Sequence, residues 1–156
     1  MSGFAIAPAD DMDDVAALFR DYAAWLAIDL SAQGFEAELA RLPAPYAPPH
    51  GAILLARDAL GAAVGVIALK PLSPSVGEIK RLYVKPEARG FGAGRALAVA
   101  VIGEARRIGF CELKLDTLPK LEGAIALYRG LGFEPIPPYG SHPYPGLICL
   151  GKILVG

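Results

Sequence analysis

Residues 78–117 constrain the fold more than any other stretch of the chain. They read Glu78-Ile-Lys-Arg-Leu-Tyr-Val84, then a loop dense in glycine, Arg89-Gly-Phe-Gly-Ala-Gly-Arg95. A helical stripe of Leu97, Ala98, Val101, Ile102, Ala105 and Ile108 follows, stopped by Gly109. Glu112–Thr117 then reads as a strand with Leu113 and Leu115 on one face. A strand, a crossover helix and a second strand return the chain to the same end of a sheet, so the two strands run parallel. The centre of the molecule is therefore expected to be a locally parallel pair.

Around this unit the pattern is that of a mostly antiparallel sheet. Ala52–Arg57, Ala63–Pro71 and Gly77–Val84 read as strands, separated by Gly61 and by Ser73-Pro74-Ser75. Upstream, Phe4-Ala5-Ile6 reads as a short strand, and Asp10 or Asp11 offers an N-cap to a helix whose stripe is Val15, Leu18, Phe19, Tyr22, Trp25 and Leu26. Gly34–Leu42 reads as a short helix stopped by Pro43, and Pro43–Pro49 as a connection. Downstream, a helix over about Leu121–Leu131 ends at Gly132, and Phe133–Ile136 and Leu147–Val155 are final strands around a loop rich in proline and tyrosine. With 156 residues and no internal repeat, the chain is expected to be a single mixed α/β domain over residues 1–156, with helices flanking the sheet.

Composition narrows the function classes. Apolar residues make up 54% and charged ones only 20%, yet the greasiest stretch, Ala52–Leu69, is broken by Arg57-Asp58 and by glycine, so no membrane span is expected. The first 14 residues hold four acids and no Lys or Arg, unlike a signal peptide, which points to a cytoplasmic protein. Cys111 and Cys149 stand far apart without metal-ligand spacing, and are expected to be two small buried apolar residues; no metal is expected. The net charge of −1 hides an asymmetry: residues 1–42 hold eight acids against two arginines, whereas residues 78–114 hold eight bases against four acids. A basic segment in a near-neutral chain suits a small phosphorylated ligand better than nucleic acid.

Glycines at 90, 92 and 94 leave backbone N–H groups uncovered just where a helix N-terminus adds its partial positive charge, and Arg89 and Arg95 flank them. The spacing is G-x-G-x-G and not the G-x-G-x-x-G of a dinucleotide fold, because Arg95 stands where the third glycine would be. Gly146–Lys152 mimics a nucleotide-triphosphate loop, but Ile153 replaces the required Ser or Thr and no helix follows.

Arg89-x-x-Gly92-x-Gly94 after Leu82-Tyr83-Val84, with Ala124-x-x-Leu127-Tyr128-x-x-Leu131-Gly132-Phe133 downstream, resembles the GNAT superfamily of acyl-CoA-dependent N-acetyltransferases over most of the chain. The resemblance implies a sheet whose central parallel strands splay at one end. It also implies acetyl-CoA as co-substrate, its pantetheine arm lying along Leu82, Tyr83 and Val84. Its pyrophosphate would rest on Arg89, Gly90, Phe91, Gly92, Ala93, Gly94 and Arg95. Glu78 falls where some members keep a general base, and Tyr128 where many keep a phenol that protonates the departing thiolate. Leu121 replaces the asparagine common three residues before the alanine of the second motif, and Asp116-Thr117 is a candidate for polar contacts there.

The implied reaction is direct transfer of acetyl to an amine of a small molecule or peptide, by a monomer or homodimer with no nucleic-acid or membrane partner. The alternative is a non-catalytic acyl-CoA-binding or regulatory module on the same fold. Plainer roles stand beside the chemical ones: Glu78 as a strand residue paired with Lys80 or Arg81, Tyr128 as a core aromatic, His50 and His142 as loop surface. The loop Pro135–Gly146, with Tyr139 and Tyr144, is expected to wall the acceptor pocket, and Asp29, Glu36 and Tyr46 are further candidates for reading a cationic amine.

Overall fold

The computed structural model describes residues 4–26, 34–140 and 146–154. Along the chain it runs β1 (Ala5–Pro8), α1 (Met12–Leu26), α2 (Phe35–Arg41), β2 (Ala52–Arg57), β3 (Ala63–Pro71), β4 (Val76–Val84), a 3-10 turn at Pro86–Ala88, α3 (Ala93–Ile108), β5 (Glu112–Thr117), α4 (Glu122–Gly130), β6 (Glu134–Pro135) and β7 (Ile148–Ile153). The seven strands form one sheet in the order β1-β2-β3-β4-β5-β7-β6. Only the β4–β5 pair is parallel; every other neighbouring pair is antiparallel. The mixed sheet and its parallel centre follow the expected pattern.

The helices cover both faces. One core gathers Leu54, Ile67, Leu69, Ile79, Leu113 and Leu115 under the α3 stripe and Tyr128 of α4. The other packs Val15, Leu18 and Phe19 of α1 and Phe35 of α2 on Ile53, Leu55, Val66, Ala68 and Tyr83. Strand β2, Ala52–Arg57, is buried at five consecutive residues, which is why it reads as an unbroken apolar run rather than an alternating one. Asp11 Oδ1 accepts the N–H of Asp13 at 2.8 Å, fixing the start of α1. Gly109, at φ 108°, ends α3 by donating to the carbonyls of Ala105 and Arg106.

Two details of β4 govern the site. Its pairing with β5 lasts only three residues, Val76↔Glu112, Gly77↔Leu113 and Glu78↔Lys114, after which the strands part. Beyond that point β5 continues on β7 as far as Thr117↔Ile148. Against β3, Lys80 faces Ala68 and Tyr83 faces Val66, so β4 carries one more residue than its partner. That bulge contains Arg81 at φ 65°, the one non-glycine with positive φ among the described residues.

Some expectations are corrected. Cys149 is buried, but Cys111 is exposed in the turn into β5, so the cysteines are not alike. Trp25 is 43% exposed, because the last turn of α1 overhangs the edge of the sheet core rather than entering it. Asp29, His142, Tyr144 and Val155 lie outside the described residues. No helix among the described residues is long and apolar enough to cross a membrane.

Candidate active site

Where β4 and β5 part, the sheet opens into a cavity of about 480 Å³. Residues 79–84 line one side and residues 115–117 the other; the loop 88–94 and the start of α4 close the far end, and Tyr22 and Trp25 of α1 overhang it. The Lys120 ammonium donates to the Leu26 carbonyl, holding the end of α1 against the β5–α4 connection. Lys85 N–H donates to Val64 O at 2.8 Å, so by the alternation of an antiparallel ladder the polar backbone groups of Val84 point away from β3, toward this opening.

The far end is built from backbone. Gly90 and Gly92 sit at φ 86° and 87°, a region that costs a side-chain-bearing residue free energy. Gly92 is the N-cap of α3 and provides no side-chain cap, so the first N–H groups of the helix have no partner within it. Ala93 and Gly94 line the cavity, and the helix dipole adds positive potential there. Uncapped amides at a helix start are the donor set a diphosphate requires.

The two arginines that flank the glycines differ in placement. Arg89 lines the cavity, but its Nε donates to the Val84 carbonyl at 2.8 Å, and its guanidinium lies over the rings of Trp25 at 4.8 Å and Tyr83 at 5.5 Å. It therefore braces the loop against β4 and α1. Arg95 and Phe91 are exposed on the outside of the first turn of α3 and are not among the cavity-lining residues.

Leu82, Tyr83, Val84, Thr117 and Tyr128 all line the cavity. Tyr128 is 4% exposed, packs edge-on to Phe133 at 5.2 Å between centroids, and burial pushes its phenol well above the usual range. Leu121 occupies the N-cap of α4 and gives no side-chain cap, so the first amides of that helix also face the opening, beside Asp116 and Thr117.

Glu78 stands apart from the other candidates. It is 4% exposed, sits at the last β4–β5 pair, and does not line the cavity. Tyr139 donates its hydroxyl to Glu78 Oε2 at 2.6 Å, and Lys70 Nζ lies 3.8 Å from Oε1. Burial and that carboxylate push the Tyr139 phenol up. Lys114 completes the cluster over the Tyr139 ring at 5.3 Å. So Glu78 pairs with β3 and with Tyr139 of the Pro/Tyr loop, not with Lys80 or Arg81, and no described residue of that loop lines the cavity.

Other candidates move to plainer roles. Tyr46 is fully buried and edge-on to Phe19, inside the α1–α2 core, and Glu36 faces solvent within 3.3 Å of Arg20. Three participants escaped the sequence reading. Tyr22 and Trp25 hid in an ordinary helical stripe. Arg81, whose guanidinium makes a buried bidentate pair with Glu38, hid among basic residues, although Lys80-Arg81 does break the alternation of the strand.

The comparisons agree with this geometry. Residues 15–133 match the family model of the acetyltransferase (GNAT) family. An uncharacterised N-acetyltransferase of Schizosaccharomyces pombe is 38% identical over 90% of this chain and 86% of its own. A Klebsiella pneumoniae structure assigned as an acyl-CoA N-acyltransferase superposes with TM-score 0.83 at 27% identity, over 99% of this chain and 100% of that one. A phosphinothricin acetyltransferase of Sinorhizobium meliloti, solved with acetyl-CoA, shares the fold at TM-score 0.77 and 21% identity, over 97% and 89% of the two chains. On the family match and the first of these relatives, the chain belongs to the GNAT acetyltransferase family, whose members take the acyl group from acetyl-CoA.

Proposed function

We propose that this acetyltransferase moves the acetyl group directly onto the amine of a small molecule or peptide, both substrates being held at once. Acetyl-CoA supplies an activated thioester; the chain's own residues bind, orient and move protons. The observation that carries the proposal is that one opening in the sheet is lined by the β4 backbone, the uncapped start of α3 and the Tyr128 phenol, and that the buried Glu78 carboxylate sits at the last β4–β5 pair, one residue before the lining begins.

The amides of Ala93 and Gly94 would receive the diphosphate, and the outward-facing backbone of β4 near Leu82 and Val84 the pantetheine arm and the thioester oxygen. A protonated amine is no nucleophile, so Glu78, directly or through a water, takes its proton; Tyr139 and Lys70 orient the carboxylate. Tyr128, kept protonated by burial, supplies a proton to the departing sulfur. Leu121 cannot make the contact an asparagine would, and the uncapped start of α4 with Thr117 offers polar groups in its place.

The test is calorimetric titration with acetyl-CoA and CoA, followed by a thiol-release assay over amines, amino acids, polyamines and peptides. Saturable CoA binding and turnover with at least one amine class are expected. No binding at millimolar ligand overturns the reading, and tight binding with no turnover on any acceptor turns it into the binding-module alternative.

A further inference from the structure

The bulge in β4 raises a physical question, because its φ 65° residue is an arginine where a glycine would be less costly. The Arg81 side chain answers it. It is 6% exposed and forks onto Glu38 of α2, Nε to Oε2 and Nη2 to Oε1, both at 3.0 Å. Its guanidinium also lies 5.4 Å from the ring centre of Phe35 and 5.9 Å from that of Tyr22. Glu38 is 7% exposed, so the pair is enclosed on both sides. A buried ion pair adds little net stability over apolar residues of the same size, whereas its fork permits only a narrow geometry.

What that geometry controls is the facing of the strand. Lys80 pairs with Ala68 on the α1–α2 side, Arg81 reaches α2 on the same side, and Tyr83 packs there too, while Leu82 and Val84 pack under α3. Without the extra residue every position after Lys80 would turn over, and the polar groups of Val84 would face β3 instead of the opening. The side chain of Arg81 thus holds the conformation that aims the β4 backbone into the cavity.

We propose that Glu38 and Arg81 are positioning residues for acyl transfer. Their ion pair, anchored on α2, clamps the β4 bulge so that its backbone amides meet the thioester oxygen, which couples the helix layer on one side of the sheet to the cofactor opening on the other. The inference rests on the acetyl-CoA reading above and deepens it.

The experiment compares the native chain with Glu38→Gln, Arg81→Lys, and the paired variants Glu38→Gln/Arg81→Gly and Glu38→Gln/Arg81→Ala, in which no unmatched buried charge remains. Isotope-edited infrared spectra of bound acetyl-CoA read the thioester carbonyl directly; titration with CoA reads the distant diphosphate site. The clamp predicts a carbonyl band lowered by the native chain and returned toward its solution position in the variants, kcat down at least tenfold, and CoA affinity unchanged. Glycine at 81 should recover part of the band shift relative to alanine, since only glycine adopts φ 65° unaided. A native-like band and kcat in the folded Glu38→Gln/Arg81→Ala variant overturn the clamp, as does a loss in which CoA and acetyl-CoA affinities fall together. A native chain that binds no CoA fails the cofactor reading instead, so the two failures are distinct.

Discussion

The glycine loop and the Glu78 cluster lie toward opposite ends of the same strand, β4, and are made of different material. At the loop, Gly90, Gly92 and the uncapped start of α3 present main-chain amides, and side chains serve mainly to stay out of the way. At the cluster, a buried carboxylate is framed by side chains from three other places: Lys70 from β3, Lys114 from β5 and Tyr139 from the loop after β6. On the proposed reading the first arrangement would recognise what every acyl-CoA shares, through main chain that glycine leaves uncovered. The second is assembled from side chains across the fold, so on the same reading it is the end at which acceptor preference would change.

If the division is real, substitutions at the two ends fail in different ways. The largest effect is expected from Glu78→Gln, which keeps the shape and removes the base: kcat/KM should fall about 10²–10⁴-fold. Its CoA affinity in calorimetry should stay native, and a parallel loss of CoA binding would erase the contrast. Tyr128→Phe comes next, with kcat lowered roughly 10–100-fold and CoA affinity retained, because a general acid acts only as charge develops. Burial raises this phenol, so the native rate should show no alkaline decline from it below about pH 10, where an exposed phenol titrates. The smallest effect is expected from Gly92→Val, where forcing a β-branched residue to φ 87° costs on the order of 1–2 kcal/mol and should weaken CoA binding about tenfold while leaving kcat at saturation intact. A change in kcat instead would mean that the loop does chemistry as well as binding.

The same division explains what could be read from the sequence. Strand, loop and helix limits around residues 78–117 were legible within a residue or two, because period-2 and period-3.6 patterns and glycine punctuation are local. The left-handed glycines of the loop before α3 were legible for the same reason: glycine at such a position is a one-residue signal. Tyr139 reaches Glu78 across 61 positions and Arg81 reaches Glu38 across 43, and nothing local in any of the four announces its partner. The Arg89 guanidinium shows a contact that sequence could not announce. Its place beside the glycines suggested a phosphate clamp, but two aromatic rings from α1 and β4 lie closer to hand, and a planar cation stacks on them. Trp25 is exposed at the end of α1 because exposure there depends on where the sheet stops, and Tyr46 is buried by tertiary packing of the connection after α2 on Phe19; periodicity encodes neither.

The three-residue limit of the β4–β5 pairing has a further consequence. A sheet that opens in its middle has four edges instead of two, and an unsatisfied strand edge is ordinarily a place where other chains dock and aggregate. Here the extra pair of edges faces inward across a cavity, overhung by α1 and closed off by the starts of α3 and α4. Another polypeptide strand, with side chains projecting from both faces, would have to fit them between α1 and the starts of α3 and α4. A thin, unbranched chain with amide groups along it would not. The fold thereby keeps a set of exposed main-chain hydrogen-bonding groups available to a small molecule while withholding them from other proteins.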